Sequence, residues 1–166
     1  MVFTNLKLTT LGYVLISNGS MQLNETYETV DTTTFSYSSA ELTYKIVIGS
    51  AEYNTRLTNW TTTGVYSVSV LGEVAEWETT HNQAAVFPTF KGSFAVSTLA
   101  TVVENLGATG ITAGKLKVTG SGSVLDMTFQ PGNLVLLQLD SDNDGDFDVE
   151  RTVPIDQLNP LIAAIL

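Results

Sequence analysis

Apolar and polar residues alternate with a period of two through much of this chain, the spacing of a strand with one covered face. In 41–48 this puts Leu42, Tyr44, Ile46 and Ile48 on one side and Thr43 and Lys45 on the other. Residues 65–70 repeat it, with Tyr66, Val68 and Val70 against Ser67 and Ser69. Strand patterns follow in 73–78, 85–87 and 90–96, where Phe90, Phe94 and Val96 stay in phase across Gly92. Residues 116–118 and 124–129 read as a hairpin across Gly120-Ser121-Gly122, and Pro131-Gly132-Asn133 as the next turn. Two last strands are expected in 134–139 and 147–153. Residues 1–8 alternate weakly and fit an edge strand. Residues 21–39 are polar and β-branched with little period, and predict one or two short exposed strands or a long loop.

Three stretches change period. Leu99, Val102, Val103 and Leu106 follow i, i+3, i+4, i+7, with Ser97 or Thr98 as cap and Gly107 as stop, which predicts a helix over 97–107. A second short helix is expected over 9–19, where Leu11, Val14 and Leu15 share a face and Gly19 ends it. The tail 153–166 ends Leu161-Ile162-Ala163-Ala164-Ile165-Leu166, apolar throughout, and Ile155, Leu158, Ile162 and Ile165 suit a helical face interrupted at Pro160. An apolar end must dock, either on the chain's own core or on a neighbouring subunit. Leu161, Ile162, Ile165 and Leu166 are therefore the candidate partner-binding residues. The expected fold is mainly β: an antiparallel β-sandwich or barrel-like domain (1–153) with one or two short helices, followed by a docking tail (154–166).

The net charge of −10 comes from 17 acidic and 7 basic residues in 166, and six of the acids lie within 140–150. Phosphate backbones would be repelled, so nucleic acid is not an expected partner. With no cysteine there is no disulfide framework, thiol nucleophile or cysteine-ligated metal. The N-terminus lacks the basic start and long apolar run of an export leader, and no segment is long enough to cross a bilayer as a helix. Synthesis in the cytoplasm without ordinary export is the expectation.

The densest chemistry lies in LDSDNDGDFDVER, residues 139–151. Asp140, Asp142, Asp144 and Gly145 occupy positions 1, 3, 5 and 6 of an EF-hand-type calcium loop. Position 7 would offer the Asp146 carbonyl, and position 9 is Asp148. Position 12, which should be a bidentate Glu, is Arg151, and the flanks read as strands rather than helices. The pattern resembles the DxDxDG calcium loops set between β-strands in many extracellular and surface proteins. Carboxylates this close repel one another without a cation, so Ca²⁺ on Asp140, Asp142, Asp144, Asp146 and Asp148 is expected, in a structural role.

Catalytic patterns are absent. His81 is the sole histidine, no G-x-S-x-G elbow is present, and His81 is expected in an exposed loop at 79–83. Glu73, Glu76 and Glu78 near Trp77 suggest a solvated strand edge before they suggest a paired-carboxylate glycosidase. Tyr53, Trp60, Tyr66 and Trp77 could offer a sugar-binding face, with core packing as the default for most of them.

The opening, 3–17, carries an L-T-x-x-G-x-x-L pattern on Leu8, Thr9, Gly12 and Leu15 and resembles the start of phage tail-fibre and tail-collar proteins. The resemblance covers about a tenth of the chain. It implies a non-enzymatic structural or accessory subunit of a virion (tail, fibre, baseplate or capsid decoration), made in the host cytoplasm and assembled as a homo-oligomer or with other virion subunits. The alternative expectation is a secreted or cell-surface binding module, such as an adhesin, a filament subunit or a carbohydrate-binding domain.

Overall fold

The computed structural model describes residues 2–9, 14–69, 72–87, 90–106 and 110–158. The chain is mainly β, as its alternation predicts. Eleven strands form one antiparallel sheet: β1 Val2–Thr9, β2 Val14–Ser20, β3 Gln22–Thr29, β4 Thr32–Ile48, β5 Ala51–Ser69, β6 Gly72–Phe87, β7 Phe90–Asn105, β8 Gly110–Thr119, β9 Val124–Gln130, β10 Leu134–Asp140 and β11 Val149–Pro154. From β4 onward each strand pairs with the next in sequence. Strands β2 and β3 lie end to end along one edge of β4, against 42–47 and 32–38 respectively, and β1 pairs outside β2. Among the described residues the sheet does not close into a barrel.

Period two is clearest in β6. Ala75, Trp77, Thr79, His81 and Gln83 are buried and alternate with exposed Glu76, Glu78, Thr80 and Asn82. The main core collects Trp77, Val102, Leu116, Met127, Phe129, Val135, Val153 and Leu158, with Phe35 and Tyr66 packed against it. Phe35, Gly64 and Trp77 stand abreast on β4, β5 and β6. A Cβ on Gly64 would meet the Phe35 ring at 2.6 Å and would also collide with the Glu76 carbonyl. Glycine here lets one aromatic side chain lie across the bare backbone of β5.

Strands β4 to β7 run 16–19 residues, roughly 50–60 Å if straight. They are not straight. In β4, exposed Ala40 and Glu41 stand between buried Ser39 and Leu42, so the covered side changes parity. Register slips between Thr58 and Thr61 on β5, and Asn59 there has φ 54°. It slips again between Trp77 and Thr80 on β6 against β7. These irregularities lie abreast and form a crease across four strands, the expected effect of bulges on a long sheet. On its other side Leu42 packs in register with Leu57.

Three expectations are corrected. The helix over 97–107 is not formed: these residues lie mostly in β7, where Val102 is buried and Leu99 and Leu106 are exposed. The β7–β8 register shifts three times between Thr98 and Glu104, and each shift resets the period of two. Apolar residues thereby fall at 96, 99, 102 and 103 and imitate a helical stripe, while Val96, Thr98, Thr101, Val102 and Val103 favour a strand backbone. The helix over 9–19 is also not formed. Val14–Ser20 is a strand and Thr9 pairs with Val14; residues 10–13 lie outside the described residues. Among the described residues the only helical element is a 3₁₀ turn, Ile155–Gln157. Finally, His81 is not in an exposed loop but on β6 at 2 % exposure.

The tail begins by docking on the chain itself, since Leu158 is buried in the core and Ile155 packs against it. Leu161, Ile162, Ile165 and Leu166 lie outside the described residues. No described helix is long and apolar enough to cross a membrane.

Candidate metal centre

The acidic loop joins β10 to β11. Leu139 opposes Val149, and the Asp148 N–H donates to the Leu139 carbonyl at 2.9 Å, which closes the hairpin below the loop. Asp140 ends β10 and is 4 % exposed. Its carboxylate accepts the backbone N–H groups of Asp144 at 3.2 Å and Gly145 at 3.0 Å. Gly145 has φ 100°, a conformation that side chains other than glycine's rarely adopt. That geometry folds the loop back over Asp140.

Asp148 accepts the Ser141 N–H at 2.7 Å and the Ser141 hydroxyl at 2.6 Å. These bonds, the hydroxyl's above all, hold the Asp148 carboxyl below its usual range. One carboxylate oxygen each from Asp140, Asp142 and Asp148 lie within 4.8 Å of one another. Two ligands on opposite sides of a calcium ion, each at about 2.4 Å, stand that far apart. Three hard oxygens at this spacing could hold a cation such as Ca²⁺.

The structure brings together three of the five expected aspartates. Asp144 instead accepts the Asp146 N–H at 2.9 Å, and Asp146 is exposed on the loop. Arg151 lies beyond the loop on β11, opposite Leu137. Beside the hairpin, Gln138 donates to Glu150 at 2.8 Å.

The other candidate groups are dispersed. Trp77 is a core residue, and Tyr66 packs against the core. Glu73, Glu76 and Glu78 are exposed along β6, where the Thr101 hydroxyl donates to Glu78 at 3.1 Å. Trp60 sits at the crease, half-buried, its ring stacked on Tyr37. The polar residues around it at Ser20, Gln22 and Asn59 were not expected from sequence to share a binding site. The register slip that gathers them depends on pairing, and only the Asn59 side chain in a threonine-rich run marks its place.

Compared with known protein families, with curated proteins and with solved structures, the chain matches none.

Proposed function

We propose that this chain is a non-enzymatic structural subunit of a larger assembly, of the phage-virion kind, and that Ca²⁺ fastens its last hairpin. The observation that carries the reading is the open sheet. Among the described residues, β3 pairs only with β4 on one flank and β11 only with β10 on the other. A free strand edge presents a row of backbone donors and acceptors, a ready template for another strand. The L-T-x-x-G-x-x-L opening supports the virion version. Asp140, Asp142 and Asp148 would supply carboxylates, and the Asp146 carbonyl, at position 7 of the loop pattern, would be a further ligand. The ion would neutralise their repulsion and stiffen β11, the strand that forms the outer edge.

Light scattering in millimolar Ca²⁺ and again in excess chelator tests both parts. The expected result is an oligomer in calcium that dissociates in chelator. A monomer of unchanged mass and stability in both buffers would sink the reading. The virion version further expects the chain in particles purified from the producing culture, and its absence there would leave only the assembly reading. A surface binding module remains the second reading, favoured by the groove beside Trp60.

A further inference from the structure

Where β4 and β5 cross the crease, the surface holds a groove of about 390 Å³. Its walls include Ser20, Gln22, Ser38, Asn59, Trp60 and Thr61, and among the described residues no ionisable side chain lines it. We propose that this groove binds a neutral saccharide. The proposal goes beyond the assembly reading and does not depend on it.

The lining selects the ligand by exclusion. Phosphates and other anions are held by Arg or Lys, and this groove has neither. A hard cation would need carboxylates, which are equally missing from its walls. An apolar ligand would need walls that are mostly apolar, whereas hydroxyls and carboxamides predominate here. A sugar ring has an apolar face and a rim of hydroxyls that both donate and accept. The Trp60 indole suits the face. The carboxamides of Gln22 and Asn59 and the hydroxyls of Ser38 and Thr61 each donate and accept, as the rim requires. Ser39 is already engaged, donating to the Ser20 carbonyl at 2.6 Å.

The groove is also built rather than incidental. Asn59 takes φ 54° at the point where β5 slips in register, and such backbone outliers and bulges gather at binding sites because they re-aim side chains. Trp60 is held by neighbouring rings. Its ring stacks on Tyr37 at 6.5 Å and 20°, Tyr37 stacks on Phe35 at 5.1 Å and 23°, and the Tyr37 hydroxyl donates to Glu25 at 3.3 Å. Burial, and then Glu25, push the Tyr37 phenol pKa up, so it stays the neutral donor. A ring held this way loses little freedom on binding, which favours affinity from a shallow site. The two tryptophans differ in exposure: Trp77 is 8 % exposed and Trp60 half-buried, so fluorescence quenching would report Trp60.

The test is tryptophan fluorescence and calorimetry of the full chain, in calcium, against maltotriose, cellotriose, xylotriose, mannotriose and N-acetylglucosamine trimer. Sialyllactose serves as the charged control. At least one neutral trisaccharide should bind and the charged one should not. Trp60→Ala should weaken that binding at least tenfold. Asn59→Asp keeps a residue that tolerates this backbone and replaces the carboxamide with a charge; it should weaken binding similarly, and it stands in if Trp60→Ala does not fold. The proposal is overturned if folded wild-type protein binds none of the neutral sugars, or binds them equally well with both substitutions. Neither result bears on mass in calcium and chelator, so the two readings fail separately.

Discussion

His81 is 2 % exposed and neither ring nitrogen has a hydrogen-bond partner. Its neighbours on the covered face, Thr79, Gln83 and Val96, carry no charge. Burial drives its pKa below the ordinary value, and the nearby Gln83 amide offsets this only in part. The neutral imidazole is therefore favoured in the fold over the charged one. In the unfolded chain it takes up a proton near pH 6.5, so its contribution to stability is complete above that value. The contribution falls as pH drops from about 6.5 towards the lower folded pKa, at a limiting slope of about 1.4 kcal/mol per pH unit. Unfolding free energies between pH 8 and 5 should show this slope in wild type and lose it in His81→Gln. Parallel curves for the two proteins would mean that His81 is protonated without penalty. Sequence hid this residue for a plain reason. On 79–83 both faces of the strand are polar, Thr79, His81 and Gln83 against Thr80 and Asn82, so alternation of hydropathy is silent although burial alternates strictly.

At the scale of elements, the β10–β11 hairpin and its loop were legible because their determinants are local. The spacing of the aspartates, a glycine at the sharp bend and apolar strands on either side all fall within about twenty residues. What the sequence did not show is which acids converge. Asp144 is turned to the Asp146 N–H, while Asp148 is brought to Asp140 and Asp142 by hairpin closure. Substitutions should therefore differ in effect. Calcium at a hundred times its dissociation constant would stabilise the fold by about 2.7 kcal/mol, read as a rise in melting temperature. Asp142→Asn should abolish most of that rise and slightly raise the melting temperature in chelator, because one of three crowded charges is gone. Asp146→Asn should leave the rise largely intact, since position 7 offers its carbonyl. Equal loss in both variants would show that the loop works by overall charge, not by a defined ligand set. Strand β7 is the opposite case. Its bulges arise from pairing with β6 and β8, and no window of 97–107 contains that information.

For the molecule as a whole, alternation and turn chemistry established an antiparallel β class, whereas the single open sheet follows from pairing along strands of 16–19 residues. Threonine-rich runs such as 55–63 put threonine on both faces, so nothing local marks where those strands end or crease. An open sheet of this size leaves two flanks to be managed. Strand β3 is exposed along its length, with Leu23 at 40 % and Tyr27 at 77 %, and β11 exposes Val149 at 52 %. Natural edge strands that must stay single usually carry charge, proline or bulges. Here β3 carries Glu25 and Glu28 but also these apolar side chains, a pattern suited to an edge that receives a partner strand. Joining β3 of one copy to β11 of the next would be a heterologous contact, which makes rings or filaments, whereas β3 to β3 would be isologous and stop at a dimer. Tyr27→Lys with Leu23→Lys places two charges on this edge without touching the core. If β3 is the joint, the protein should fall to monomer mass in calcium with its melting temperature within a few degrees of wild type. If the mass is unchanged while the same treatment of Val149 lowers it, assembly runs through β11 alone, and an ion held beside that strand would become the controlling element.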